Sequence, residues 1–369
     1  MALADFPLSL TVPAQAGAAV PRAVRQVQFY FAGSCVVGLA AFVLGVEGRF
    51  PGGLFLYPPP PVDWIPPLAR EQWLVAFALH QQDTIYAACG GSQSLDEFQT
   101  LYWWEWARRA SVLLLAAAAI GGGAVTAGIA RFRFALPRIA GLCLIVPACA
   151  LAHWLVGLAA TNVADLARFN VGQYRHAVDV TFASAAVAAV LASALVPPQP
   201  QVRRQSLRLA ASLWGAAILI AIAFGALFMA RDAAAVWPSW SGFGDVPFER
   251  FVSYQPFWLN LVFNPYGIQI VHRAVSVALF IAALGYLVWS IRRHSRGVAA
   301  AAGLFGLLTI EMAIGIAALA SGVPAALSLL HRIVGVVLLA VAFTLPSSRQ
   351  PLSWRPRSPA TPRKASPAS

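Results

Sequence analysis

Apolar residues run along this chain in eight long stretches separated by shorter polar segments. They lie near residues 26–46, 104–126, 137–160, 174–196, 207–230, 265–290, 298–320 and 324–345. Each is long enough to cross ~30 Å of hydrocarbon as a helix. The pattern predicts an all-α polytopic membrane protein with eight transmembrane helices, and an even number of spans puts both termini on one side. Segments 1–25, 127–138, 198–208, 292–296 and 346–369 hold 16 of the 26 Lys and Arg residues and one acid, Asp5. The alternate loops 47–103, 161–173 and 231–264 hold ten acids and five arginines. Basic loops stay in the cytoplasm, so both termini are expected there.

The long loop 47–103 carries its own helix signals. Pro66-Pro67-Leu68 precedes Glu71-Gln72-Trp73, which reads as a helix start with Trp73, Leu74, Phe77 and Ala78 along one side. Ser94 and Glu97 form a capping box for a second helix, expected to run straight into the span at 104. The loop 231–264 is rich in aromatic residues. Trp237, Trp240, Phe243, Phe257 and Trp258 are expected to form an interfacial belt, with a cover over a ligand from outside as the lesser alternative. Gly121-Gly122-Gly123 in the second span predicts close helix packing or a kink.

The two halves of the chain match, and the pattern predicts two similar four-helix bundles. Residues 26–197 form the first half, including the outer loop 47–103, and residues 207–345 form the second. Residues 1–25 are a cytoplasmic segment, and the Pro-, Ser- and Arg-rich residues 346–369 read as a disordered cytoplasmic tail. Arg108-Arg109 occupies the slot of His272-Arg273, and Glu105 that of Gln269. Such a duplication relates two four-helix units by an axis along the membrane normal.

Composition agrees. The chain is 59% hydrophobic and 11% charged, where a soluble domain carries about 25% charged residues. The net charge of +12 is spread in short clusters between apolar runs, so it sets orientation and does not predict nucleic-acid binding. Of Cys35, Cys89, Cys143 and Cys149 only Cys89 falls in an outer loop, so no disulfide framework is expected. No CxxC or CxxCH occurs, which argues against a zinc ribbon and covalent haem attachment. Residues 1–20 lack the basic start and compact apolar core of a cleavable signal peptide.

Candidate chemistry centres on His272-Arg273 and His331-Arg332. Each histidine lies about seven residues inside its span from the outer end, roughly 10–12 Å deep. Ionisable residues inside a span are costly and mark functional sites. Two histidines at equal depth on two helices suit one bis-imidazole iron site, with Arg273 and Arg332 placed to pair with haem propionates. The competing reading is a pair of hydrogen-bonded core histidines with snorkelling arginines.

Several stretches then resemble the haem A synthase family. They are Gly90-Gly91-Ser92-Gln93-Ser94-Leu95-Asp96-Glu97-Phe98 followed by Trp103-Trp104-Glu105-Trp106, and Pro66-Pro67-Leu68 with Trp73, Phe77 and Gln81. Asn264-Pro265 through Gln269 to His272-Arg273, and Gly322-Val323-Pro324 leading to His331, complete the set. The resemblance covers roughly residues 26–345 and implies eight spans in two halves. It implies haem b in the C-terminal half, with His272 and His331 as iron ligands. It also implies a catalytic N-terminal half, where the C8 methyl of haem O is oxidised to the formyl of haem A for cytochrome c oxidase biogenesis. Glu105 matches the family's catalytic glutamate. The expected partners are the lipid bilayer, haem O or a haem O synthase-type protein, and an electron donor, with a homo-oligomer left open. The expected location is the bacterial inner membrane.

The sequence departs from the family at the second haem. Arg108 and Asp179 stand where the family has ligand histidines. Arginine stays protonated and is no ordinary iron ligand. An opposite-charge pair at these two positions predicts that Arg108 and Asp179 face one cavity, with Glu105 as a further partner of Arg108. His176 and His153 are candidate replacement ligands, while His80 and His294 read as solvated. Glu311, at a family glutamine position, is expected to hydrogen-bond inside the bundle, with Arg273 as a candidate partner. The reading is therefore an enzyme of haem A formation, with a catalytically inactive haem b-binding paralogue as the alternative. A transporter ranks last, because no broken helices occur in matched positions.

Overall fold

A computed structural model describes residues 19–47, 63, 65–82, 93–162, 172–195, 205–240, 246–293 and 297–345. Nine helices carry the architecture: α1 (Ala19–Glu47), α2 (Arg70–Gln81), α3 (Leu95–Gly128), α4 (Leu136–Asn162), α5 (Gly172–Leu195), α6 (Gln205–Ala230), α7 (Pro265–Arg292), α8 (Val298–Ala320) and α9 (Ala325–Thr344). Among the described residues all of these except α2 meet the length and apolarity needed to cross a membrane, and the eight candidate spans overlap the eight predicted runs. Helices are the form in which a single segment satisfies its own backbone in lipid. The protein is an integral multi-pass membrane protein, and the described residues hold helices, turns and irregular segments without strands.

Helices α1, α3, α4 and α5 pack in a closed ring of neighbours, and so do α6, α7, α8 and α9. Helix α5 packs on both α6 and α9, and α1 touches α9, so the two sets share an interface. The largest buried cluster lies there, with Phe42, Val187, Ile218, Leu304 and Leu339 among its members. Gly122 supplies the close packing predicted for the glycine run. The Tyr30 hydroxyl donates to Ala118 O at 2.7 Å, and a Cβ at Gly122 would lie 2.3 Å from that hydroxyl oxygen.

The capping box at Ser94 is present. Ser94 Oγ accepts from the Glu97 amide at 3.3 Å, and Glu97 accepts from the Ser94 amide at 2.7 Å. α3 then continues into the membrane without a break, as its sequence predicts. In α2, Gln72 Oε1 accepts the amides of Leu68 and Ala69 at 2.8 and 3.1 Å. The inner face of α2 is Trp73, Phe77 and His80, packed on Phe98 and Tyr102. Leu74 and Ala78 point outward, contrary to expectation, because the i, i+4, i+7 stripe starts at Trp73 and ends on the histidine. His80 is likewise not solvated: it is buried with its ring 5.2 Å from that of Phe98.

Candidate haem site

The outer start of α7 is fixed by its own sequence. Asn264 caps the helix by accepting the Tyr266 amide at 3.0 Å, with Pro265 at the first helical position. Asn260 accepts the Tyr254 amide and donates to the carbonyls of Tyr254 and Phe257, which ties the preceding loop to this cap. Gly267 lies so close that a Cβ there would sit 1.7 Å from Asn260 O. These contacts set the depth at which His272 and Arg273 enter the bundle. The start of α9 is set by Gly322 and Val323, both with positive φ, followed by Pro324.

His272 and His331 then meet. Their ring centroids are 6.4 Å apart and the ring planes are at 87°. His272 Nδ1 lies 3.1 Å from Ala221 O, and His331 Nδ1 lies 3.2 Å from Glu311 O. A backbone carbonyl only accepts, so both Nδ1 atoms carry a proton, and in the neutral rings Nε2 holds the lone pair. Neither Nε2 has a hydrogen-bond partner among the described residues.

Both histidines line one cavity, together with Phe42 of α1 and Val180 and Ser184 of α5. Two glycines let them do so. A Cβ at Gly225 would lie 3.2 Å from His272 Cε1, and one at Gly315 would lie 2.9 Å from His331 Cε1. Both glycines stand in the apolar runs of α6 and α8, but only packing reveals which ring each one faces. Glu311 also lines the cavity. Its Oε1 lies 3.2 Å from His331 Nδ1, so its partner is this histidine and not the Arg273 suggested by sequence.

A metal–imidazole bond is about 2.0–2.1 Å, and the ring centroid lies about 1.1 Å behind its nitrogen. Two imidazoles on opposite sides of one iron therefore need centroids about 6.2 Å apart. The observed 6.4 Å separation fits, as does the engagement of Nδ1 rather than Nε2 by the backbone on both rings. The residues present suit a bis-histidine haem.

Arg273 is built toward the same cavity. Gln269, buried, accepts from its Nη2 and donates to Ala233 O and Trp237 O. Nη2 also donates to Ser239 O at 2.8 Å, while Nη1 is buried without a hydrogen-bond partner among the described residues. The guanidinium stacks 4.1 Å from the Trp237 ring and 5.2 Å from the Trp240 ring. Trp237 is buried and Trp240 lines the cavity, so these two cover the site rather than form a belt. Phe257 and Trp258 are exposed. Arg332 lines the cavity as well.

The corresponding place in the first half looks different. Arg108 donates to Glu105 through Nε and Nη2, both at 2.7 Å, and Arg109 Nε donates to Glu105 Oε1 at 2.7 Å. Asp179 accepts from the Cys149 thiol at 3.8 Å and attracts Arg108 electrostatically. Arg108 cannot offer a lone pair to iron, so these positions do not fit a bis-imidazole haem. His176 is buried on α5. The side chain of His153 lies outside the described residues, as do Cys89, Gly90–Ser92, Phe243, His294 and the tail.

Eight candidate spans, six of which line a cavity where two imidazoles meet, define a polytopic helical membrane protein. The comparisons with known proteins name its family. The profile of the COX15-CtaA family, described as cytochrome oxidase assembly protein, matches residues 59–343. The haem A synthase of Rhizobium meliloti is 31% identical over 313 residues, 79% of this chain and 80% of the relative. That of Sinorhizobium fredii is 32% identical over 298 residues, 75% and 77% of the two chains. That of Brucella abortus is 29% identical over 334 residues, 86% and 90% of the two chains. The chain belongs to the haem A synthase family.

Proposed function

We propose that this protein is a membrane oxidoreductase of haem A formation, converting haem O to haem A for cytochrome c oxidase. Its α6–α9 half would hold haem b between His272 and His331. The observation that carries this reading is the 6.4 Å separation of two imidazoles whose Nε2 atoms have no hydrogen-bond partner among the described residues. Haem b bound there would supply one-electron transfer. Ala221 O and Glu311 O fix the tautomer and the aim of the two rings. Arg273 presents the unpartnered Nη1 to an anionic group such as a propionate, and Arg332 is the second candidate. Trp237 and Trp240 shield this end of the cavity from the outer loop side.

In this reading the α1–α5 half handles the porphyrin substrate, with Glu105 as its polar group. The two rings of helices then correspond to two similar bundles, with both termini in the cytoplasm and the protein in the bacterial inner membrane. The loop 231–264 would lie outside.

One observation favours a second reading. Glu105 is held by three hydrogen bonds from Arg108 and Arg109, and the second pair of ligand histidines is replaced. A haem b-binding paralogue that assists oxidase assembly without converting haem O would carry such a site. Pigment analysis separates the two. The protein is expressed in a host that makes haem O but not haem A, and extracted haems are weighed by mass spectrometry. Conversion predicts haem A that depends on the chain and disappears with Glu105→Ala. Haem b with unchanged haem O would support the paralogue.

A further inference from the structure

His272 and His331 sit in matched frames. Ala221 and Gly225 are four residues apart on α6, and Glu311 and Gly315 are four apart on α8. In each frame the first residue's carbonyl faces Nδ1, at 3.1 and 3.2 Å, and the glycine lets the ring close in. The frames differ in one side chain. Ala221 ends at its methyl group. Glu311 turns its carboxyl back onto the same Nδ1, with Oε1 at 3.2 Å.

The rest of the Glu311 side chain has few other calls on it. Its Oε2 is buried without a hydrogen-bond partner among the described residues. Gly335 on α9 leaves room for it, since a Cβ there would lie 3.1 Å from Oε1. Within the protein the Nδ1–H of His331 is the donor that this carboxyl group faces.

We propose that Glu311 is a positioning residue for His331, and that its carboxylate makes the two axial imidazoles unequal and holds the haem toward its ferric form. The proposal rests on the haem b reading above. With Nε2 on iron, His331 Nδ1 must carry the proton, so the carboxylate accepts it. A carboxylate acceptor makes an imidazole a stronger donor to a metal than a neutral carbonyl does. The carboxylate also places a negative charge near the iron. A ferric haem with two neutral imidazoles carries one positive charge at its core, and uptake of one electron removes it. A nearby anion in a low-dielectric interior therefore favours the ferric state. His272, facing only Ala221 O, gains neither effect.

The test is a potentiometric titration of the purified haem-loaded protein, with dithionite as reductant. Glu311→Gln keeps the shape and an acceptor oxygen but removes the charge. It should keep the wild-type haem content and bis-imidazole absorbance. At a fixed potential its ferrous-to-ferric ratio should rise about tenfold, a midpoint shift of about +59 mV for a one-electron couple. Thr309→Ser, on the exposed side of the same helix, should leave the midpoint unchanged. A Gln variant with full haem and an unmoved midpoint overturns the role of Glu311 and leaves the haem b reading standing. Wild-type haem whose spectrum survives His331→Ala overturns that reading itself, and the inference with it. If the Gln variant fails to accumulate, Glu311→Asp decides. The shorter side chain should shift the midpoint in the same direction by less, and an unchanged value there overturns the proposal.

Discussion

Arg108 and Glu105, one turn apart on α3, form a bidentate ion pair with both N–O distances at 2.7 Å. Arg109 adds a third bond to the same carboxylate. Two adjacent guanidinium groups thus share one acid that is 9% exposed.

This arrangement predicts a large asymmetry between variants. Glu105→Gln removes the carboxylate charge that two neighbouring guanidinium groups share, with its charge-assisted hydrogen bonds, and should destabilise the protein by about 1–3 kcal/mol. The figure stays below that for a fully buried pair because Arg108 is 38% exposed. Arg108→Gln should cost less, since Arg109 still compensates Glu105. Thermal unfolding in detergent, with the two variants side by side, checks the order.

The glycine frames make a second prediction. Gly315→Ala would place a Cβ 2.9 Å from His331 Cε1 and should displace the ring, lowering haem content several-fold. Gly225→Ala, at 3.2 Å from His272 Cε1, should have a milder effect. Gly303→Ala faces open space and should behave as wild type. Absorbance per protein in purified samples reads all three.

A third prediction concerns Arg273. Its Nη1 is a buried donor without a partner among the described residues, at the edge of the cavity. A charge-assisted hydrogen bond contributes about 1.5–3 kcal/mol, so Arg273→Gln should weaken haem binding about 10–100-fold. Haem titration into the apo-protein in nanodiscs measures it.

The near-perpendicular ring planes make a fourth. With imidazoles at 87°, the ferric low-spin haem should give an electron paramagnetic resonance signal dominated by one low-field feature. Parallel ligands would give three well-resolved features instead.

Spans, capping box and paired histidines were legible in the sequence because each is a local or periodic signal. The eight apolar runs follow from the length of a membrane crossing, and Ser94 with Glu97 is a four-residue motif. The equal depth of His272 and His331 could be counted along two helices. What could not be read was which atoms hold those rings. Ala221, Gly225, Glu311 and Gly315 lie on other helices, and only packing brings them to the histidines. His80 was misplaced for a similar reason: it belongs to an outer loop by sequence, but α2 folds it onto Phe98. Glu311 does pair inside the bundle, but with His331, because Arg273 is already engaged by Gln269 and two tryptophans.

The central claim is that His272 and His331 bind one haem between them. Absorbance spectra of purified His272→Ala and His331→Ala, beside wild type and His294→Ala, test it most directly. The account predicts a six-coordinate low-spin haem in wild type and His294→Ala, and loss of most of that absorbance in either of the other two variants. A wild-type spectrum that persists in both single variants would contradict it.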